Sequence, residues 1–453
     1  MVSLWQETVG AVSRRPPLPG DSDADVVIVG AGYTGLWTAY ELLARDPSLR
    51  VVVCEREHVG FGASGRNGGW CSALFAGSRE QTAKRHGRDA VVAMQRAMFE
   101  TLDAVEHVVT TERIDCDWAR GGTLQVATLP AHVGRLQDEL ADHRRWGFGE
   151  EDYRWLDPQE SRTRIGCRPN LGALYTPHCA AIHPAKLAHG LARAAERRGA
   201  RIHEGTPVAA IGRGRVVTPF GTVRADVIVR ATEAYTTQWK EYRRAVVPVY
   251  SLMIATEPLP DEVWAGAGLG RRETFTDGRR LLIYGQRTAD GRLAFGGRGA
   301  PYHLGSGVRP GYDRDDRVFA GLERTLRSLF PQVGGAAITH RWGGPVGVPR
   351  DWYPSVGFDR SEGVAWAGGY VGDGVSTTNL AGRTIADLVL GVDSDVTRLP
   401  WVGHRSPRWE PEPLRWLGVN AARALVASID RAEAAGRDPR RRARLARRLL
   451  GGH

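Results

Sequence analysis

The chain has 453 residues, 42% of them hydrophobic and 25% charged, with a formal net charge of +10. That length supports two or three domains around a large core, and the composition is that of an ordinary globular protein rather than a disordered or fibrous one. No apolar run is long enough to span a bilayer, and five scattered cysteines (Cys54, Cys71, Cys116, Cys167, Cys179) form no C-x-x-C pair, which argues against a disulfide framework or a zinc module.

Met1 to Gly20 lacks the apolar core of a secretory signal, so the expected compartment is the reducing cytoplasm. The charge is concentrated at one end. Residues 431–453 carry eight arginines against two acids, leaving the rest of the chain at only +4. The body is therefore not a nucleic-acid-binding surface by charge. The tail reads as a solvated terminal helix with a few docking leucines, the alternative being a basic helix for RNA or an anionic membrane. Only three lysines occur, Lys84, Lys186 and Lys240.

In chain order, the first strong signal is Asp25-Val-Val-Ile-Val-Gly30-Ala-Gly32-Tyr33-Thr34-Gly35, a helical run, then Val51-Val-Val-Cys-Glu55. A β-branched strand runs into three glycines at dinucleotide spacing. Gly30 permits the tight turn, Gly32 lets the backbone approach a pyrophosphate, and Gly35 lets the helix pack against the strand. The helix start offers free N–H groups and a positive dipole end to phosphates. Glu55 ends the next strand, where a carboxylate accepts ribose hydroxyls and repels a 2′-phosphate. The expected ligand is an unphosphorylated adenine dinucleotide, FAD or NAD.

Residues 81–118 read as helix, Gly122–Thr128 as an alternating strand, and Pro184–Gly199 as an amphipathic helix leading to Ala200–Val208 and a strand meander. Ala225–Ala234 is a buried-looking strand, 241–300 is strand-rich, and 312–330 returns to helix. Gly363–Gly369 is a strand, followed by a glycine-rich turn and a helix over 375–390. Nucleotide-binding-like α/β pieces thus alternate with blocks that read as antiparallel sheet with helices. The expected fold is α/β: a discontinuous Rossmann-like nucleotide domain (1–80, 155–240 and 335–398), an antiparallel-sheet substrate domain (81–154 and 241–334), and a C-terminal helical arm (399–453). A contiguous two-domain layout is the alternative. Only one dinucleotide fingerprint is present, which favours FAD alone over an FAD enzyme that also draws on a nicotinamide.

Seven further runs carry a family resemblance. They are Phe61-Gly-Ala-Ser-Gly-Arg-Asn-Gly-Gly69, His183-Pro184, Glu204-Gly-Thr-Pro-Val208, Ala231-Thr-Glu-Ala-Tyr235, Phe295-Gly-Gly-Arg298, Trp342-Gly-Gly-Pro345 and Gly369-Tyr-Val-Gly-Asp-Gly374. In this order the chain resembles the glycine/D-amino-acid oxidase family of FAD enzymes, and within it the γ-glutamylputrescine oxidoreductase-like amine oxidases, over roughly residues 5–395.

The resemblance implies FAD extended across the nucleotide domain. Gly30, Gly32 and Gly35, with Tyr33 and Thr34 between them, would meet the pyrophosphate, and Glu55 and Arg56 the adenosine half. Val208 would meet the adenine through its backbone, and small Ala231 and Thr232 would let a strand end approach. Ala63, Ser64, Arg66, Asn67, Gly68 and Gly69 would line the flavin and its ribityl chain. The turn through Gly372, Asp373, Gly374, Val375, Ser376 and Thr377 would meet the pyrimidine edge, where a helix N-terminus stabilises arriving negative charge. Asp373 would oppose that charge, so its orientation matters.

The implied reaction is C–N oxidation by hydride transfer to flavin N5, giving an imine that hydrolyses. Tyr284, Arg298, Trp342 and Tyr370 are the expected pocket-lining residues by family position. Relatives acting on amino acids clamp the carboxylate with cations, one of them a lysine after the Gly-x-Gly turn. This chain reads Val375-Ser-Thr-Thr there. The departure favours an amine, or an amino compound with a remote charged group, with Arg66 or Arg298 left as carboxylate partners. The oxygen-activating lysine of sarcosine oxidases is also missing, its role empty or taken by Arg287 or Arg298. An oxidase using O2 is still favoured over a dehydrogenase using another acceptor. The stretch around Trp342 lacks the cysteine used for covalent attachment, and Cys71 reads as a packing residue, so FAD is expected to be non-covalent. No membrane partner is expected. Competing readings are an FAD enzyme acting on a nucleic-acid-borne amine, as in tRNA modification, a non-catalytic flavoprotein, and an NAD-only dehydrogenase.

Overall fold

The computed structural model describes residues 3–449. Met1, Val2 and residues 450–453, at the ends of the first and last expected pieces, lie outside the described residues.

Two eight-stranded sheets organise the molecule. The first has Ser22–Val29 at its centre, paired in parallel with Val51–Cys54 on one side and Gly221–Arg230 on the other. Arg201–His203 extends it in parallel beyond Val51–Cys54, and Val364–Gly368 beyond Gly221–Arg230. Ser355–Asp359 adds an antiparallel edge. Val26 to Val29 are all buried, because both faces of this strand are covered and a β-branched run suits that environment. On one face lie the helices Tyr33–Arg45, Pro184–Arg197 and Gly374–Leu390. On the other, Val27, Val29, Val52 and Cys54 pack with Val216 of the Ala210–Thr218 meander.

The second sheet runs Ile338–Pro349, Val246–Thr256, Leu293–Arg298, Ile283–Arg287, Thr274–Asp277, Thr123–Val126, Ala173–Thr176, Arg154–Leu156. All its pairs are antiparallel except Thr274–Asp277 with Thr123–Val126. Period-two alternation sorts its side chains. Leu124, Leu252, Phe275, Ile283 and Phe295 pack with the helix Asp316–Leu329 through Phe319, Leu322 and Leu326. Their neighbours Gln125, Ser251, Thr276 and Tyr284 face the other way.

Strand pairing differs from the expected division at two places. Ile338–Pro349, expected with the nucleotide piece, pairs along its length with Val246–Thr256 in the second sheet. Arg154–Leu156 and Ala173–Thr176, also expected with the nucleotide piece, pair with each other and with Thr123–Val126. A strand follows the edge that completes its hydrogen bonds, which a linear reading does not reveal. The expected 81–118 helix is two helices, Arg79–His86 and Arg88–Thr111, parted by Gly87 at φ 88°.

The arm consists of Leu414–Ala434 and Arg440–Leu449. The two helices pack through Leu425, Ile429, Ala443 and Ala446. The first docks beside the second sheet, on the turn between Thr274–Asp277 and Ile283–Arg287. The Asp430 carboxylate accepts the backbone N–H groups of Arg280 (2.9 Å) and Leu281 (2.7 Å), and Glu433 pairs with Arg135 at 2.7 Å. No helix among the described residues is long and apolar enough to cross a membrane.

Candidate functional site

A groove of about 370 Å³ runs along the carboxyl ends of the first sheet's parallel strands, the place where open α/β sheets bind ligands. Gly30, Gly32, Tyr33, Thr34, Glu55 and Arg56 line it, as do Ala63, Ser64, Asn67, Val208, Ala231 and Thr232. Gly30 sits at φ 106°, and a Cβ there would stand 2.7 Å from the carbonyl oxygen of Ala231. Gly35 does not reach the groove. A Cβ on it would run into the Gly30 carbonyl, so its role is the close packing of helix on strand. The helix Tyr33–Arg45 starts at Gly32, which has no side chain to cap it, and the Tyr33 N–H donates to the Ser64 hydroxyl at 2.8 Å.

The Glu55 carboxylate accepts the N–H of Ala31 at 2.7 Å and of Glu57 at 2.9 Å. Burial raises its pKa, and those two hydrogen bonds oppose the shift. A carboxylate has about four acceptor sites, so two remain for a ligand. Arg56 donates to Gln238 at 2.5 Å and lies over the Tyr235 ring.

A second cavity, about 290 Å³, adjoins the groove. Ala63, Asn67, Val346, Gly372 and Val375 belong to both and mark the seam between them. Asn67 fixes the loop there, donating to Ala63 and Ser64 carbonyls and accepting the Gly69 N–H at 2.8 Å. Two indoles hold the same loop from behind: Trp5 donates to the Asn67 carbonyl (2.8 Å) and Trp342 to the Arg66 carbonyl (2.9 Å).

Of the residues expected at the substrate, Tyr284 and Arg298 line the second cavity, together with Arg66, Gly68 and Asp373. Tyr284 hydrogen-bonds Ser251 at 2.8 Å. The other two lie elsewhere. Trp342 is buried with Leu4, Trp5 and Ala185, because the alternation of its strand turns it toward that cluster. Tyr370 lines the groove instead, its hydroxyl on Thr34 at 2.9 Å. Gly69, Ser376 and Thr377 line neither space. Ser376 donates to the Ser72 carbonyl, and Thr377 donates back to the carbonyl of Asp373. Gly374 lines the groove at the start of its helix, which no side chain caps.

The arginines divide sharply. Arg66, read as a carboxylate partner, is already committed: it pairs with Asp313 at 2.5 Å and donates to Tyr235 and the Gly343 carbonyl. Arg287 lies over the Trp264 ring and lines neither space. Arg298 donates to the Val371 carbonyl, and burial lowers its pKa against the opposing pull of Asp373. Asp373 has its own pKa pushed up to about 6 by burial, with Arg298 pulling it down.

Several lining residues were not anticipated. Gln125, Glu139, Tyr153 and His178 lie in the second cavity and Glu233 in the groove. Glu233 is half-buried and accepts the Gly347 N–H at 2.8 Å, which ties the groove wall to the second sheet. The alternation of Thr123-Leu-Gln-Val126 was the one available signal for Gln125. The others come from elements whose packing partner is set by the tertiary fold.

The family model for DAO, described as FAD dependent oxidoreductase, matches residues 25–388. The chain belongs to this family. It is 32% identical over 372 residues to the γ-glutamylputrescine oxidoreductase of Escherichia coli strain K12, covering 81% of this chain and 84% of that protein. It is 31% identical over 389 residues to a probable oxidoreductase, OrdL, of Haemophilus influenzae, covering 83% and 85%. The glycine oxidase structure from Geobacillus kaustophilus superposes with a TM-score of 0.70 at 22% identity, over 84% of this chain and 99% of that one. That likeness bears on the fold. The expected Rossmann-like α/β architecture and the family reading therefore stand: the protein is an FAD-dependent oxidoreductase. The residues present fit the cofactor. The groove follows the strand ends from Gly30 to Val208, Gly30 and Gly35 stand where a Cβ would collide, and an uncapped helix start meets the seam.

Proposed function

We propose that the protein oxidises a C–N bond of an amine or amino compound, with FAD held non-covalently in the groove and substrate in the adjoining cavity. The carrying observation is the seam: the dinucleotide groove opens onto a second, separately walled space at Ala63, Asn67, Gly372 and Val375. When bound, FAD would supply the two-electron acceptor for hydride leaving the carbon beside nitrogen, and the resulting imine would add water to give a carbonyl and an amine.

This chain's residues supply the rest. An ammonium has no free lone pair and must lose a proton before it reacts. Asp373 lines the cavity at the seam, and a carboxylate with a pKa near 6 is a competent acceptor for that proton around neutral pH. Arg298 balances the Asp373 charge and holds the turn beside it. Tyr284 and Trp70, 6.1 Å apart edge to face, form an aromatic wall that excludes water. The helix start at Gly374 offers N–H groups where negative charge arrives.

Non-covalent binding is supported by the cysteines, all free and buried, with Cys71 wholly inside the main core. Free cysteines also accord with a cytoplasmic protein. We favour O2 as acceptor, with Arg298 as the cation at the seam that a lysine provides elsewhere in the family. The deciding experiment is a visible spectrum of the purified protein, followed by anaerobic titration with polyamines, N-methyl amines, D-amino acids and aminophosphonates, then assay of hydrogen peroxide in air. Bleaching by one amine class supports the reading; a flavin that none of them reduces defeats it.

A further inference from the structure

The second cavity carries a carboxylate that the reaction above does not use. Gln125, on the face of its strand turned away from the hydrophobic core, donates its amide N–H to Glu139 at 2.9 Å. Glu139 stands on the helix Pro130–Arg145, and both residues line the cavity. Neither belongs to the groove, so they form a part of the wall away from the seam.

The charges around this cavity pair off, with one exception. Arg66 is matched by Asp313, and Arg298 stands against Asp373. Behind the wall, Arg96 is matched by Asp152, and Arg79 by Asp142. Glu139 has no lysine or arginine ion-pair partner among the described residues. Its other neighbour is His143, at 3.9 Å, whose pKa burial lowers and whose Nδ1 lies 3.1 Å from the Arg79 guanidinium. His178, also in the cavity, is likewise lowered by burial and hydrogen-bonds Asp152. The glutamate's side chain is 39% exposed, which leaves it open to a ligand. Gln125, having used its N–H on Glu139, keeps its carbonyl oxygen as a second acceptor. Tyr153 lines the same cavity with its ring stacked on His143 at 3.5 Å, so it adds an apolar edge and not an open face. The site thus has acceptors and one carboxylate with no directly paired lysine or arginine, the chemistry that suits an alkylammonium.

We infer that the substrate is a diamine or polyamine, whose second ammonium, remote from the nitrogen that reacts, is bound by Glu139 and Gln125. This rests on the proposed amine oxidation and names its substrate class. A remote carboxylate would meet Glu139 with like charge and is disfavoured there.

The test compares α,ω-diamines with n-alkylamines and ω-amino carboxylates of equal length, in wild-type holoenzyme and in Glu139→Gln. Flavin reduction gives kcat/KM, and calorimetry gives affinity for a diamine whose α-carbons bear no hydrogen and so cannot be oxidised. Diamines are expected to exceed the monoamines at least tenfold in both readouts. Glu139→Gln should erase that preference through KM, leaving the limiting reduction rate and the flavin content unchanged. Glu139→Lys should shift preference toward the ω-amino carboxylate. Equal use of mono- and diamines by the wild type, or a preference that survives in Glu139→Gln, would overturn the inference while leaving amine oxidation intact. If no amine of any kind reduces the flavin, the functional reading falls and this one with it.

Discussion

Arg298 donates a hydrogen bond to the carbonyl of Val371, a β-branched residue held at φ 59°. That conformation is costly for valine, by about 1–3 kcal/mol. It persists because the turn from Gly369 to Asp373 is fixed from several sides. Gly369 and Gly372 also have positive φ, Val371 is buried, and Tyr370 is tied to Thr34. Arg298 comes from the second sheet, so the turn between groove and cavity is locked by the sheet facing it.

Removing that lock should loosen the turn. Arg298→Met is expected to lower kcat/KM by roughly 10- to 100-fold, the equivalent of about 1.4–2.7 kcal/mol. Val371→Gly should raise Tm or leave it unchanged, since it releases backbone strain against added chain entropy. A Val371→Gly protein that melts well below wild type would contradict the strain argument. Thermal unfolding and anaerobic stopped-flow reduction check the pair.

The proton acceptor predicts a pH limb. With Asp373 required as carboxylate and its pKa near 6, kcat/KM should fall as pH drops below about 6, approaching tenfold per unit. The sign follows from the raised pKa: the useful form lies above it and is lost as protons are added. Asp373→Asn should lower the rate by about 10- to 1,000-fold and remove that limb. Retention of the same limb in the variant would show that another group titrates.

Cofactor retention tests the glycine cradle. Gly30→Val places a side chain against the Ala231 carbonyl at a positive φ, and should yield protein with less than about a tenth of the wild-type flavin absorbance. Gly35→Ala, buried away from the groove, should lose flavin through helix displacement and unfold at lower temperature as well. Absorbance at the flavin band and a melting curve on the same samples separate the two effects.

The arm reaches the cavity through a short chain of contacts. Asp430 accepts two backbone N–H groups from Arg280 and Leu281, and the next residue, Leu282, lines the cavity and accepts the Arg298 N–H at 2.9 Å. Asp430→Ala leaves those donors without their anionic acceptor. We expect KM to rise about three- to tenfold with flavin content unchanged, a cost of about 0.7–1.4 kcal/mol. Unchanged KM would make the arm a bystander to the cavity.

The dinucleotide half of the site was legible in the chain because its parts are local. Strand, turn, helix and acid follow one another within residues 22–55, and each glycine answers a constraint set by near neighbours. The substrate half was read less well. Trp342 looked like a lining aromatic and is a core indole holding Arg66. Arg66 looked like a free cation and is neutralised by Asp313, 247 residues away. Glu139 gave no signal at all, since it lies on a helix whose cavity-facing side depends on which sheet that helix covers.

The sequence by itself determined the dinucleotide-binding strand, turn and helix, because their parts follow at fixed short spacings, while the family and its FAD were legible as a resemblance carried by runs spread from Phe61 to Gly374. Tertiary structure alone decided which charges cancel, which aromatics face the cavity, and that Ile338–Pro349 belongs to the second sheet. Those outcomes depend on pairings between residues far apart in the chain, and a side chain's charge or orientation has meaning only once its partner is in place.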